Sequence, residues 1–322
     1  MDASLRHRCE LLIENYRIMS ERETFGSSYE LLAAAGLYMA ENRVADPDRL
    51  EDARNIIKSS VGIFSDFRGV MEYVLRAKMA MTDDPRGYFD ALREVYDQVK
   101  NGVFATSFDV IAAMILTDSR SADQTVLAEN MKTIYRMMQK QHMFLTSEAD
   151  RPFAALMAAS GKDPEAVAAR AEAIFLSLKG RLRVAMNTRQ TIASILALYD
   201  RPDEEMCERI CALNTLLRSA RRSFGSDSYA SILGILADTD LPAEELASRL
   251  FEAEDFLRGS KPFKGLFGAS AGSRRMMAAL CVMSDCNTKE NARSAMIGTS
   301  VQITISIMVL MFIMISTVSS MN

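Results

Sequence analysis

Residues 201–205 read RPDEE and residues 241–245 read LPAEE, and this motif decides the fold. Proline suits the first turn of a helix, where its missing N–H leaves no hydrogen bond unmade. The acidic residues that follow favour the positive end of the helix dipole. After the second copy, Leu246, Leu250 and Leu257 recur at helical spacing. The motif therefore predicts the start of an amphipathic helix, which we name helix B.

The same marker recurs along the chain. Prolines stand at positions 47, 85, 164, 202 and 242, and the triplet Ser-Ala-Asp at 121–123 occupies the slot between the second and third. With position 122 counted for that slot, successive markers are 38, 37, 42, 38 and 40 residues apart. A period in this range is typical of arrays of helical hairpins. The sequence therefore predicts an array of hairpins, each of about 40 residues.

A more apolar helix, named helix A, is predicted before each marker. Several of these helices follow a Phe and then a Ser or Thr, as in FATS at 104–107 and FLTS at 144–147. Ser or Thr caps a helix at such a position, and the Phe folds back onto the helix as a hydrophobic staple. We predict an all-α protein in which stacked hairpins form a curved α-solenoid or a closed helical toroid. The predicted A helices are 29–39, 110–116, 153–159, 192–199, 229–236 and 276–283.

Composition agrees with a helical protein and limits its partners. Trp is absent, aromatic residues make up 7% of the chain, and Gly and Pro are scarce. The net charge of −4 provides no general attraction for nucleic acid. Five dispersed cysteines do not form a disulfide framework, so we predict reduced thiols and a cytoplasmic location.

The end of the chain differs from the repeats. Residues 301–318 read VQITISIMVLMFIMISTV without a charge, and Arg293 is the last charged residue. We therefore divide the chain into a repeat domain, 1–293, and an apolar C-terminal helix, 294–322. The apolar length reaches the lower limit for a helix that spans a bilayer, so a membrane anchor is one interpretation. The others are a helix buried inside the protein and a surface helix that binds a partner.

Residues that enzymes use are scarce or dispersed. His7 and His142 are the only histidines, and neither has an obvious partner in the sequence. Cys207 and Cys211 lie one helical turn apart, but no second pair at metal-ligand spacing accompanies them, so core positions are the simpler interpretation. The stretch 259–275 lacks the residue order of a phosphate-binding loop and predicts a connection between repeats. We predict no catalytic residue, no metal and no cofactor.

Basic residues recur where each B helix ends. Cations there favour the negative end of the helix dipole, which explains any one of them locally. Stacked hairpins also bring all turns from helix B to helix A to one edge, which would be basic, while the opposite edge would be acidic. We predict that the basic edge binds an anionic partner, such as an acidic protein segment, a phosphorylated ligand or a lipid headgroup. The predicted site residues are Lys179, Arg181, Arg183, Arg221, Arg222, Lys261, Lys264, Arg274 and Arg275.

The sequence also resembles an uncharacterised bacterial family, the domain of unknown function number four thousand and three. The resemblance rests on total length, on FGSSYELLAAA at 25–35, on YASILGIL at 229–236 and on the Met- and Ala-rich stretch from Met276. It implies an all-helical cytosolic protein, and it brings no established activity, cofactor or catalytic residue.

These observations favour a non-enzymatic interaction or scaffold protein, because helical arrays present extended surfaces to partners. Two alternatives stay open. The first is a helical protein anchored to a membrane through 301–318. The second is an enzyme or sensor that takes a phosphorylated small molecule. Specific nucleic-acid recognition has no signal in the sequence.

Overall fold

The computed structural model describes residues 1–22, 28–69, 71–100, 105–119, 123–264 and 269–291. Within these ranges the protein consists of 14 α-helices and short 3-10 turns, with no β-strand, so the all-α prediction is confirmed. The apolar segment 301–318 and the boundary at 294 lie outside the described residues, and the division of the chain stays a prediction. The helices are α1 (Ala3–Arg22), α2 (Ser28–Ala40), α3 (Pro47–Ser60), α4 (Glu72–Ala80), α5 (Pro85–Val99), α6 (Ser107–Asp118), α7 (Gln124–Gln141), α8 (Arg151–Ala159), α9 (Pro164–Ser177), α10 (Met186–Leu196), α11 (Asp203–Ser219), α12 (Ile232–Leu236), α13 (Ala243–Arg258) and α14 (Ala271–Asn291).

The helices alternate between two patterns of burial. The even-numbered helices are the A helices, and several are buried on all sides: every residue of 31–39 in α2 and of 188–196 in α10 is buried. The odd-numbered B helices bury one face, as α5 does with Phe89, Leu92 and Val95. A helix that is apolar all round must be enclosed by other helices, whereas an amphipathic helix separates the core from solvent. The A helices therefore form the interior.

The marker residues begin the B helices, as predicted. In α3, α5 and α9 the marker proline lies in the first turn, and the Asp before it accepts hydrogen bonds from backbone N–H groups of that turn. In α11 and α13 the proline is the N-cap residue. Asp123 caps α7, whose slot lacks proline. Local chemistry is therefore sufficient to place these helix starts.

Contacts between helices follow the chain and then return to its beginning. Each B helix touches the next, from α1 through α3, α5, α7, α9 and α11 to α13, and α13 touches α1. Among the A helices, α2 contacts α4. Further along the chain, α6 contacts α8, α8 contacts α10, α10 contacts α12 and α12 contacts α14. The 3-10 turn Asp66–Arg68 contacts both α4 and α6. Finally, α14 packs against α1 and α2, so the last described helix lies beside the first two.

One edge of the protein carries the turns from each A helix to the following B helix, and we call it the A–B edge. Arginines of the B helices bind carbonyl oxygens in the A–B turn of the next hairpin. Arg170 of α9 donates to Tyr199 (2.7 Å) and also pairs with Asp203 (2.7 Å). Arg209 of α11 likewise donates to Leu241 (3.0 Å). Asp203, one of the carboxylates at this edge, is thus paired with an arginine from the neighbouring hairpin.

The opposite edge carries the turns from each B helix to the next A helix, and we call it the B–A edge. The turns after α3, α7 and α11 each contact the C-terminal half of the next B helix, so these turns lie at the same edge. The turn after α9 instead contacts the start of α11 through Arg181 and Glu204. In the turn after α3, Asp66 accepts a hydrogen bond from Tyr96 of α5 (2.9 Å). In the turn after α7, His142 lies 2.5 Å from Glu172 of α9. In the turn after α11, Arg222 pairs with Asp255 of α13 (3.0 Å).

The predicted Ser and Thr caps occur, but one predicted staple is wrong. Capping boxes begin α6 and the 3-10 turn that precedes α8. Phe144, which was expected to fold back onto its helix, is 93% exposed. The backbone N–H groups of Leu145 and Thr146 both donate to the carbonyl oxygen of His142. This tight turn places Leu145 against the core instead.

We expect Asp150→Asn to stabilise the protein at neutral pH. Asp150 is 8% exposed, and its burial raises the pKa of the carboxyl from 3.8 to about 6, although the N–H and hydroxyl of Ser147 donate to it. Between these two pKa values the folded protein binds more protons at this group than the unfolded chain does. The stability that the group contributes is therefore present below about pH 4 and is lost as the pH rises through about 6.

Asparagine has no charge to bury, and its amide oxygen still accepts hydrogen bonds from Ser147. At about pH 8 the variant should exceed the wild-type protein by about 3 kcal/mol in the free energy of unfolding. Below about pH 4 the difference should vanish. Urea unfolding at the two pH values measures this, and an equal difference at both would contradict the role given to the Asp150 charge.

Candidate anion-binding site

The predicted site residues divide into one cluster and several separate positions. Arg222, Arg274 and Arg275 converge on the carboxylate of Glu254, together with Arg258, which the sequence analysis did not select. We call these five residues the arginine cluster. They come from the turn after α11, from α13 and from the first turns of α14, so the cluster joins three segments of the chain at the B–A edge.

Glu254 is the centre of the cluster. Its side chain is 3% exposed, and a buried carboxylate requires partners of opposite charge. Two of the guanidinium groups make close contacts and two are more distant. Glu254 Oε1 lies 3.2 Å from Arg274 Nη2, 3.3 Å from Arg275 Nε and 3.8 Å from Arg258 Nη2, and Oε2 lies 3.8 Å from Arg222 Nη1.

The cluster carries more positive than negative charge. Asp255 is the second carboxylate beside it and pairs with Arg222 (3.0 Å) and Arg258 (3.2 Å). Four guanidinium groups therefore face two carboxylates, which leaves two positive charges uncompensated by these partners. Because arginine is not deprotonated in proteins, this excess persists at any physiological pH. An excess of positive charge of this kind is the electrostatic feature that would favour an anionic ligand.

The chain conformation after α11 positions Arg222. Arg221 adopts a left-handed backbone conformation (φ 56°), and the N–H of Arg222 then donates to the carbonyl oxygen of Leu217 (2.8 Å), which closes the helix end. The Arg222 guanidinium lies over the ring of Phe251 in α13, with 4.9 Å between its central carbon and the ring centroid. The turn thus carries Arg222 onto the neighbouring helix.

The first turn of α14 supplies the other side of the cluster. The side chain of Arg274 is 13% exposed, and Arg275 Nη1 donates to the carbonyl oxygen of Ser223 (2.8 Å). The Tyr229 hydroxyl lies 3.1 Å from Ser273 Oγ. A Cβ on Gly272 would lie only 2.8 Å from the Tyr229 ring, so the close approach of these segments requires glycine there. Guanidinium groups, hydroxyls and a helix start in one place suit a negatively charged ligand.

The other predicted residues do not join the cluster through any described contact. Arg181 makes two hydrogen bonds to Glu204 of α11 (3.1 and 2.8 Å), and this guanidinium lowers the pKa of the Glu204 carboxyl. The remaining cations are exposed and form no ion pair with another described residue, so their part in binding stays a prediction. They are Lys179, Arg183, Arg221, Lys261 and Lys264.

Sequence reasoning missed a polar pair on α7 and α9. His142, which has no evident partner in the sequence, lies 2.5 Å from Glu172 and packs against the tilted ring of Phe175, with 4.4 Å between ring centroids. Both line a surface cleft of about 260 Å³ together with Gln190 and Ser194. Glu172 follows His142 by 30 residues and belongs to the next hairpin. The recurrence of such cross-hairpin pairs becomes visible only once the B helices are placed side by side.

The cysteines occupy the positions expected of packing residues. Cys207 is fully buried and Cys211 partly so, and burial raises the pKa of both thiols. Cys281 contacts Cys9, and this contact together with burial raises the pKa of the Cys281 thiol. A thiol with a raised pKa is a poor nucleophile at neutral pH. Among the described residues, no group of three or more His, Cys, Asp or Glu side chains is arranged to hold a metal ion.

No described helix has both the length and the apolar character that crossing a membrane requires.

Comparison with known proteins gives one curated relative, the uncharacterized protein YeaA of Bacillus subtilis (strain 168), which is 27% identical over 187 residues. The match covers 56% of this chain and 56% of that relative. No solved structure matches the chain.

A family model described as "Protein of unknown function (DUF4003)" matches residues 15–315. The match includes all the described helices apart from the start of α1, and it includes the arginine cluster. It agrees with the resemblance noted in the sequence and adds no activity. On this match, the chain belongs to the DUF4003 family.

Proposed function

We propose that the protein is a non-enzymatic scaffold whose arginine cluster binds an anionic group of its partner. A phosphorylated group is the preferred ligand, because guanidinium groups match the geometry of phosphate oxygens in a bidentate manner. The observation that carries the proposal is the gathering of four arginines around the single buried carboxylate of Glu254.

We propose further that the hairpins close into a two-layered helical ring, with A helices inside and B helices outside. Two observations support this arrangement: the contacts between successive B helices return from α13 to α1, and α14 touches α2. A ring would hold the B–A turns in one rigid plane. A partner could then contact the arginine cluster and the other cations of that edge together. The five free cysteines support a reducing compartment, and we place the protein in the cytoplasm.

Replacing the two arginines closest to Glu254 should weaken anion binding. Each charge-assisted hydrogen bond to a phosphate contributes about 1.5–3 kcal/mol, so Arg274→Gln with Arg275→Gln should lower the affinity for inorganic tripolyphosphate by about 100-fold or more. Isothermal titration at two salt concentrations measures the change. The salt dependence of the remaining binding should also decrease, because fewer charges take part.

Arg17→Gln is the matched control. Arg17 is an exposed arginine of α1 that pairs with Glu14 and Glu21 (2.8 and 2.6 Å), remote in sequence from the cluster. This variant should bind tripolyphosphate as the wild-type protein does. Thermal unfolding checks that every variant remains folded. Unchanged affinity in the folded double variant would contradict the proposed function.

A further inference from the structure

Two turns on the B–A edge present apolar side chains to solvent. Ile63 and Phe64 follow α3 and are 68% and 96% exposed; Met143 and Phe144 follow α7 and are 69% and 93% exposed. These are the four most exposed large hydrophobic side chains of the described residues. Apolar pairs also recur in the sequence at intervals of 40, since Val103 and Phe104 stand midway between them. Two turns of the described part of the chain thus expose an apolar pair at the same edge.

The bases of both turns are held firmly. In the first, Phe67 is buried against Phe89 and Tyr96, with ring centroids 5.4 and 4.8 Å apart, and the Tyr96 hydroxyl donates to Asp66 (2.9 Å). Directly before these anchored residues, Phe64 points into solvent. The turn therefore fixes the exposed side chain outward instead of leaving it to fold onto the protein.

The second turn is anchored in a different way with the same result. The His142 side chain lies 2.5 Å from Glu172, and the Thr146 hydroxyl donates to the carbonyl oxygen of Met138 (3.0 Å). Phe144, between these two anchors, is exposed. Such preorganisation lowers the entropy that is lost when the side chain enters an apolar environment.

Cations accompany the apolar tips. Lys58 near the end of α3 and Lys140 near the end of α7 are exposed, and neither forms an ion pair with another described residue. The arginine cluster lies at the same edge, as the turn contacts of α11 and α13 indicate. Exposed aromatic tips flanked by lysine and arginine have the composition of surfaces that bind anionic bilayers: the apolar groups enter the acyl boundary while the cations face the headgroups.

We propose that the B–A edge docks on an anionic lipid bilayer, with Phe64 and Phe144 inserted at the interface. This inference rests on the proposed function and names its partner, because the phosphate groups would be those of lipid headgroups. The origin of the two tips in separate turns favours a bilayer over a single pocket on a folded protein. The two tips project separately from turns that are two hairpins apart, so together they suit a flat, deformable surface.

Vesicle binding of the full chain tests the proposal. The wild-type protein should bind vesicles of phosphatidylcholine mixed with phosphatidylglycerol, and should bind pure phosphatidylcholine far more weakly. Phe64→Ser with Phe144→Ser should reduce binding to the mixed vesicles about 100-fold, because two apolar side chains no longer enter the bilayer. The matched control is Val44→Ser with Val126→Ser; these exposed residues (58% and 53%) lie beside A–B turns, and the control should bind normally.

A tryptophan probe separates the turns from the apolar sequence 301–318 of the same chain. Because the protein contains no Trp, Phe64→Trp introduces a unique fluorophore. Its emission should shift to shorter wavelength and be quenched by brominated lipid in mixed vesicles, whereas Val44→Trp should show neither change. Vesicle binding without quenching at position 64 would overturn the proposal.

Tripolyphosphate binding distinguishes this proposal from the one on which it rests. The Phe64→Ser, Phe144→Ser variant should keep the wild-type affinity for tripolyphosphate. If the wild-type protein binds tripolyphosphate but not mixed vesicles, the bilayer proposal falls and the proposed function stands. If it binds mixed vesicles through Phe64 but does not bind tripolyphosphate, the arginine cluster is not the anion site and the proposed function falls.

Discussion

Asp285→Asn is expected to destabilise the protein by about 3–5 kcal/mol, because it removes the buried carboxylate that pairs with the largely buried Arg249. Asp285 of α14 is fully buried and pairs with Arg249 of α13, whose side chain is 14% exposed. Ser4 of α1 also donates to Asp285. The carboxylate thus connects the first helix to the last two. Asparagine keeps the size of the side chain, so the expected loss comes from the missing charge rather than from a cavity.

The same region contains further contacts that hold the beginning of the chain against its end. Arg249 also pairs with Asp2 (3.0 Å), and the N-terminal ammonium group pairs with Glu252 of α13 (3.0 Å). In Asp285→Asn the attachment of α1 should therefore weaken first. Hydrogen exchange should increase in α1 and α14 before it increases in helices such as α7. Urea unfolding gives the loss of free energy, and hydrogen exchange locates it.

Glu204→Gln is the control that separates the effect of burial from the loss of an ion pair. It also removes a carboxylate that pairs with an arginine across neighbouring B helices, but the Glu204 side chain is 63% exposed. An exposed pair of this kind contributes below about 1 kcal/mol. The double variant Arg249→Met with Asp285→Asn should lose less than the sum of the single changes, because Arg249 no longer remains after its buried partner is removed. Equal losses for Asp285→Asn and Glu204→Gln would refute the connecting role of Asp285.

Local chemistry explains which parts of the fold the sequence predicts. Proline, Asp and Glu begin a helix through interactions within one turn, so α3, α5, α9, α11 and α13 follow from the marker motif. Helix α1 carries no marker, and the sequence pattern does not predict it. Arg170 and Arg249 bind turns or residues that neighbouring hairpins bring to them, and no spacing within one hairpin indicates these partners.

In the candidate site, too, the sequence predicts the residues that follow a local pattern and misses those whose contacts form only between hairpins. Periodicity predicts Arg222, because cations recur where the B helices end. Arg274 and Arg275 belong to the basic stretch 259–275, which leads into a helix start. Glu254 was not selected, because a glutamate in an amphipathic helix is ordinarily a solvent-facing residue. Its burial depends on four arginines, three from outside α13 and one at its end, which reach it only in the folded protein. The exposure of Phe144 was missed for a related reason, since a staple and an exposed tip have the same sequence.

Glu254→Gln is expected to lower stability and raise anion affinity at the same time. The change leaves four guanidinium groups facing Asp255 alone, and the uncompensated charge should reduce the free energy of unfolding by about 3 kcal/mol at low salt. The same excess charge should increase the affinity for tripolyphosphate by about tenfold, because an anion then replaces the lost carboxylate. Bound anion should in turn stabilise the variant more than the wild-type protein, since a ligand that binds the folded state adds stability according to its affinity.

Thermal unfolding with and without sulfate measures this rescue. Sulfate should recover a large part of the loss in Glu254→Gln and have little effect on Glu244→Gln, a control at an exposed glutamate in the first turn of the same helix. Screening by salt in general would raise both variants alike, whereas occupation of the arginine cluster would raise only the first. If Glu254→Gln loses tripolyphosphate binding instead of gaining it, the buried carboxylate is required to position the arginines. The positive excess would then not be the source of the affinity.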